Sequence, residues 1–246
     1  MYTEVFLGDA PEAAKPWISS HVAARKTVFT LADGTQVSAD IVGDLDKDVV
    51  AQYVPDTSLL KEVVVGATVS SLDNGTGQLS TGTFSGCSAL EKVTIQRETK
   101  TIDQAAFANC TSLSSVTLPN SISTIGQQAF YECSSLKQIA LPCNISEIAT
   151  GTFGNCSGLE EALLGKNVNR FEQMAFAKTP NLKKLVFEHK TIDEVRSIDG
   201  FSGLSSAGCS FEVEAIDGTF TFEPASSIRE NVPGIGDIVG PGGTNS

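Results

Sequence analysis

Three residue types in this chain could in principle do chemistry: its six cysteines, its two histidines and a run of glycines near the C-terminus. Cysteine thiolates hold zinc when they converge tetrahedrally from close sequence pairs. Here Cys87, Cys110, Cys133 and Cys156 follow one another at a constant 23 residues, so they line up one per structural unit and do not converge. That spacing reads as a column of buried thiols. Cys143 and Cys209 fall outside the column, and nothing in the sequence pairs them. His21 and His189 belong to no His-Glu-x-x-His motif and no recognisable triad, which makes both of them surface residues. Gly234-Ile235-Gly236-Asp237-Ile238-Val239-Gly240 resembles a phosphate-cradling loop only superficially. Its third glycine is one place late, and no strand and helix flank it. Asn-x-Ser/Thr sequons occur at Asn74, Asn109, Asn144 and Asn155; those at Asn109 and Asn155 arise because one repeating pattern places Cys and then Thr or Ser after Asn. No catalytic residue, cofactor or metal site emerges, and the expectation is a protein that is not an enzyme.

The elements that position these residues follow from the same period. Phe84, Phe107, Phe130, Phe153 and Phe176 are also 23 apart, as are Leu90, Leu113, Leu136, Leu159 and Leu182. Self-similarity at 20 to 29 residues with a Leu-x-x-Val-x-Ile core is the mark of stacked coils, each burying its apolar side only against its neighbours. The fold class expected is an α/β repeat: a leucine-rich-repeat solenoid with a parallel β-sheet and about 23 residues per coil. The segments ending at Ile95, Leu118, Leu141, Leu164 and Phe187 alternate apolar and polar residues and read as short strands. A second apolar pair recurs on the return limb (Ile122 and Ile125, Ile145 and Ile148, Val168 and Phe171), and the Ala-Phe or Thr-Phe step after it is expected to turn inward as a short helical piece. Pro119 and Pro142 close strands where a missing amide hydrogen is tolerated. From Leu60 to Leu90 is 30 residues, so an insertion is expected at Asp73 to Gly82, and past Phe176 the repeat loses regularity.

The run Ile122-x-x-Ile125-Gly126-x-x-Ala129-Phe130-x-x-Cys133-x-x-Leu136-x-x-Ile139-x-Leu141-Pro142 resembles the repeat of the BspA-like leucine-rich proteins, over roughly Leu59 to Val213. That resemblance implies a binding fold without catalytic residues. Similar proteins are bacterial and protist surface proteins associated with adhesion to host proteins and other microbes, and some occur within proteins of tailed bacteriophages.

Outside the repeats, residues 1–58 match no family and read as a capping or attachment segment. Lys26 to Leu31 and Thr35 to Ile41 form an expected hairpin, and Asp46 to Tyr53 a short helix. Ser210 to Ala215 and Gly218 to Phe222 form a second hairpin, so that short β-hairpins cap both ends of a body spanning 59–222. Residues 223–246 read as a flexible Gly/Pro-rich tail.

With 17 basic against 29 acidic residues the formal charge is -12, which argues against nucleic acid as a partner. No stretch approaches the roughly 18 apolar residues of a membrane span, and no signal peptide is legible, so no membrane insertion is expected. The protein would then be virion-associated, or at the cell surface if a signal is missing from this chain.

The face expected to meet a partner consists of the outward positions of the strands. They form three columns: Lys61, Glu91, Ser114, Lys137, Glu160 and Lys183; then Glu62, Lys92, Ser115, Gln138, Glu161 and Lys184; then Val64, Thr94, Thr117, Ala140, Leu163 and Val186. The candidate contact residues among them are Val64, Glu91, Lys92, Thr94, Thr117, Lys137, Ala140, Glu160, Glu161, Leu163, Lys183, Lys184 and Val186. Two functions follow from different classes. One is a non-catalytic protein-interaction module for adhesion or recognition, with a protein or glycan ligand on this face. The other is a structural component or decoration of a phage particle or other assembly, attached through the N-terminal segment, with homo-oligomerisation left open.

Overall fold

The computed structural model describes residues 25–73 and 82–223. His21, the sequon at Asn74, nearly all of the expected insertion, the glycine run and the tail lie outside the described residues.

An antiparallel hairpin opens the described chain, β1 (Thr27–Leu31) with β2 (Gln36–Ala39), followed by β3 (Gly43–Leu45) and helix α1 (Lys47–Tyr53). Asp46 starts α1 by accepting from the Val49 amide at 2.8 Å, a side-chain cap that satisfies one orphan donor of the first turn. Next come β4 (Leu60–Val65) and β5 (Val69–Leu72). The repeats then alternate a longer and a shorter strand: β6 (Lys92–Ile95) and β7 (Thr101–Ile102), β8 (Ser115–Thr117) and β9 (Thr124–Ile125), β10 (Gln138–Ala140) and β11 (Glu147–Ile148), β12 (Glu161–Leu164) and β13 (Arg170–Phe171). After β14 (Lys184–Phe187) come helix α2 (Ile192–Arg196), a 3-10 segment (Phe201–Ala207), β15 (Phe211–Ala215) and β16 (Gly218–Phe222).

The long strands pair in parallel with a fixed register. Lys92 lies beside Ser115, Gln138 beside Glu161 and Glu161 beside Lys184, each pair 23 residues apart in the chain. The short strands repeat this on the return limb, where Thr101 lies beside Thr124 and Glu147 beside Arg170. The ends are antiparallel: β1 lies along β4 and β16 along β15, while β15 itself is parallel to β14. Hydrogen-bonded pairing does not run through the whole stack. One sheet holds β2-β1-β4-β6-β8 and a second holds β10-β12-β14-β15-β16, and the return limb divides likewise into β3-β5-β7-β9 and β11-β13.

The interior is built by the columns. Phe84, Phe107, Phe130, Phe153 and Phe176 are fully buried and stack ring on ring at 5.4, 5.3, 5.7 and 5.1 Å with interplanar angles of 24° or less. Leu90, Leu113, Leu136 and Leu159 are buried beside them. Backbones approach so closely that a Cβ at Gly126 would stand 2.6 Å from the Gln104 amide nitrogen of the preceding repeat, which only glycine permits.

The expected short helices around the phenylalanines are not present. Phe107, Phe130, Phe153 and Phe176 instead sit in consecutive tight turns. Ala105, Gln128 and Met174, two places before Phe, and Asn109, Glu132, Asn155 and Lys178, two places after it, hold φ between 55° and 62°. The left-handed residues and the phenylalanines between them aim their amides along the stack. Phe107 N–H donates to the Ala129 carbonyl of the next repeat at 2.8 Å, Asn109 N–H to Tyr131 at 2.8 Å and Phe130 N–H to Thr152 at 3.0 Å. A helix would spend those donors within one repeat. The turns spend them between repeats, tying this side of the stack together. At the last repeat, where Phe176 to Phe201 is 25 residues, a 3-10 segment forms at Phe201–Ala207, and a shorter one, Thr57–Leu59, precedes β4.

Candidate interaction face

The outward positions of β4, β6, β8, β10, β12 and β14 lie side by side because the parallel register stacks equivalent residues. The three columns read from the sequence are therefore neighbours in space, except at the break between β8 and β10. Most members are accessible: Glu91, Lys92, Thr117, Lys137, Ala140 and Lys183 are exposed, and Val64, Thr94, Glu160, Glu161, Leu163 and Lys184 are partly so. Val186 is not, which corrects the expectation. It retains only 8% of its surface, since Leu163 on one side and Glu214 on the other, both longer, flank it in register.

The charges on this face are paired from repeat to repeat. Lys61 meets Glu91 at 3.4 Å, Lys92 meets Glu62 at 2.7 Å, and Lys183 meets Glu160 at 2.6 Å, while Lys184 is held between Glu212 and Glu214. The Lys183 hydrogen bond pulls the Glu160 carboxyl below its ordinary value, and the Glu214 hydrogen bond raises the Lys184 ammonium. These are solvent-screened contacts that fix side-chain direction more than they stabilise the fold. At both ends of the face each of these lysines is thus paired with a carboxylate. Its middle is different: Ser114, Ser115, Thr117, Gln138 and Ala140 carry no charge, and Lys137 among them has no carboxylate within salt-bridge distance among the described residues.

The chemistry-bearing residues are placed as follows. Cys87, Cys110, Cys133 and Cys156 are buried and free, and burial lifts their thiols far above the ordinary value, Cys87 to about 11 and Cys156 to about 12. Cys143 and Cys209 are half-buried and free. His189 is exposed. No group of three or more His, Cys, Asp or Glu converges as a metal site among the described residues, and no helix there is long and apolar enough to cross a membrane. The Asn155 side-chain amide donates to Tyr131 Oη at 2.5 Å and Glu132 Oε1 at 3.3 Å, so this sequon asparagine is engaged by the preceding repeat.

One feature lay beyond the sequence reading. A groove of about 420 Å³ runs along the stack, lined by Thr111, Glu132, Ser134, Asn155, Ser157, Lys178 and Pro180. Its rows are the left-handed column and the residue after the cysteine column. The signal was available as Gly86, Asn109 and Asn155 sharing one register position, since Gly and Asn are the residues most at home at positive φ.

Solved leucine-rich repeat structures are similar to this chain. Among solved structures, a leucine-rich repeat protein from Eubacterium ventriosum is similar at 23% identity with a TM-score of 0.52, over 67% of this chain and 42% of that one. The T. pallidum leucine-rich repeat protein is 26% identical with a TM-score of 0.47, over 51% of this chain and 57% of that one. The chain spans about half the length of these two structures. No match emerges among curated proteins. The family described as BspA type leucine rich repeat region matches residues 77–200 in six copies, half of the chain, and the protein belongs to that family.

Proposed function

We propose that the stack is a solenoid whose exposed strand face serves as a non-catalytic protein-interaction module of the adhesion or recognition kind. The observation that carries this reading is the register itself. It sets outward side chains side by side along β4, β6 and β8 and again along β10, β12 and β14, partly apolar at Val64, Ala140 and Leu163, and repeat stacks offer such extended faces to partners. Aromatic residues are absent from these positions, which argues against sugar stacking and equally against a strong aromatic anchor in a protein contact. The test is an alanine-to-glutamate and leucine-to-glutamate pair, Ala140→Glu and Leu163→Glu, assayed against the partner that the unaltered chain retains. Loss of binding in both, with unchanged melting temperature, supports the face; undiminished binding in both removes it.

A second reading is a structural part in a larger assembly. It is supported by the outer edges of β2 and β16, which end their sheets without a further strand among the described residues. Light scattering on the full chain tests it: a single monomeric mass at all concentrations removes self-assembly.

A further inference from the structure

Both sheets break at one and the same step of the stack. Among the described residues no backbone ladder joins β8 to β10, and none joins β9 to β11, although every neighbouring step on either side is bonded. Equivalent amides make the loss explicit. Ser123 and Gly126 donate to Lys100 and Ile102 of the repeat before, and Asn169 and Glu172 donate to Ser146 and Ile148; Ser146 and Ala149, which stand between these in register, have no backbone acceptor in the preceding repeat. On the strand face Leu141 N–H reaches Leu163, so by alternation the amides of Gln138 and Ala140 point into the break. Val116 and Leu118 are half-buried there, whereas their equivalents Val93, Ile139 and Ala162, and Ile95, Leu141 and Leu164, keep 6% or less of their surface.

The turn side of the same step is intact. Gln128, Phe130 and Glu132 donate their amides to Thr150, Thr152 and Gly154 at 2.9 to 3.0 Å, Cys156 Sγ donates to the Phe130 carbonyl at 3.0 Å, and the Phe130 and Phe153 rings stack. Their 5.7 Å separation is the widest of the column. Pro142 offers no amide hydrogen to this step, as Pro119 offers none to the intact step before it. The Tyr131 ring lies against Gly154 of the next repeat, where even a Cβ would come within 3.0 Å of it. The step is also spanned by side-chain bonds, Asn144 Nδ2 to the Asn120 carbonyl at 2.7 Å and Thr152 Oγ1 to the Gly126 carbonyl at 3.5 Å.

We propose that this step is a hinge: the repeats up to β9 and those from β10 onward are two rigid halves that tilt about the bonded turns and the Phe130–Phe153 stack, so that the strand face is adjustable at its centre, which no ion pair crosses among the described residues. Elsewhere in the stack, tilting must break a backbone ladder; here the ladder is already absent on the side that would open. The inference is independent of what the face binds.

Hydrogen exchange on the full chain with residue-level readout tests the missing ladder. The amides of Gln138, Ala140 and Ser146 should exchange at least about tenfold faster than those of Glu161, Leu163 and Asn169 one repeat later. Equal protection at the two levels overturns the proposal. Paired spin labels test the motion, in a chain whose half-buried Cys143 and Cys209 are serine. Labels at Ser115 and Lys184 span three steps including the break, and labels at Gln138 and Glu212 span three steps without it. A broader distance distribution for the first pair supports the hinge, and equal widths overturn it.

Discussion

The thiol of Cys133 donates to the carbonyl oxygen of Phe107, one repeat earlier, at 3.2 Å. Cys110 does the same to Phe84 at 3.2 Å and Cys156 to Phe130 at 3.0 Å, so the cysteine column is stitched to the aromatic column one step below it. The cysteines are therefore donors as well as fillers, in a place too apolar for a charged group. Cys133→Ala removes both the contact and the volume and should cost about 1–3 kcal/mol in urea unfolding. Thiol reagents on the native chain should modify only Cys143 and Cys209. Labelling of Cys110 or Cys133 without unfolding would contradict the packing.

Burial of these thiols also fixes a pH dependence. A thiol held above its ordinary value of 9.0 favours folding in its protonated form, so its contribution is whole below about pH 9 and is lost as pH rises toward about 11 for Cys87 and about 12 for Cys156. Between these limits each such thiol should remove up to about 1.4 kcal/mol per pH unit. Urea midpoints compared at about pH 8 and about pH 10.5 should fall for the unaltered chain, and fall less for Cys156→Ser, whose hydroxyl does not ionise in this range. Equal slopes for the two chains would assign the loss to other groups.

Leu163 and Val186 occupy equivalent register positions, yet one is partly exposed and the other keeps 8% of its surface. Glutamate should distinguish them. Leu163→Glu should leave the melting temperature within about a degree or two, as surface changes generally do, whereas Val186→Glu buries a carboxylate beside Glu214 and should cost about 2–4 kcal/mol. Thermal melts of the two variants read this directly.

The contrast shows what was legible beforehand. A period that repeats in Phe, Cys and Leu together announces stacking and register, because a residue buried in one repeat forces its equivalent to be buried in the next. Outward columns follow from the alternation of strands, which is why Glu91, Lys137 and Thr117 stand where the sequence put them. Val186 departed because its exposure is set by neighbours in the irregular last repeats, among them Glu214, 28 residues beyond it. The turns at Phe107 and Phe130 were misread as helical pieces because short apolar steps such as Ala105-Ala106-Phe107 fit either conformation. The choice was made by donors that the next repeat could accept, and that is a tertiary fact. The break between β8 and β10 carries no such mark in the sequence: Pro119 and Pro142 share one register position, yet the step before Pro119 keeps its ladder and the step before Pro142 does not.

Left-handed geometry gives a sharper test of those turns. Lys178 is exposed at φ 55°, and its amide donates to Ser206 at 2.9 Å, so its backbone rather than its side chain is in use. Lys178→Gly should be close to neutral, because relief of the left-handed penalty is offset by the greater freedom of an unfolded glycine. Lys178→Val should be about 1–2 kcal/mol less stable than the glycine variant, since a β-branched residue resists positive φ. At Asn155, by contrast, glycine should destabilise, because its side chain bonds Tyr131 and Glu132. If Lys178→Val and Lys178→Gly melt together, the turn is not left-handed in solution.

The aromatic column should show the nearest-neighbour energetics of a repeat stack. Phe107, Phe130 and Phe153 each have a ring above and below, whereas Phe84 stacks on Phe107 alone and Phe176 on Phe153 with a tilted contact to Phe171 at 6.2 Å. All five are fully buried, so cutting any of them to alanine leaves a cavity and should cost about 3–5 kcal/mol. Stacking adds to that cost in proportion to the rings lost, about 0.5–1.5 kcal/mol per ring pair. Phe107→Ala should therefore destabilise more than Phe84→Ala by roughly one pair. Phe130→Ala should fall between them, because its partner at the hinge step is 5.7 Å away, the loosest pair of the column. Equilibrium urea unfolding of the three variants gives the order, and a larger loss at Phe84 than at Phe107 would overturn this account of the column.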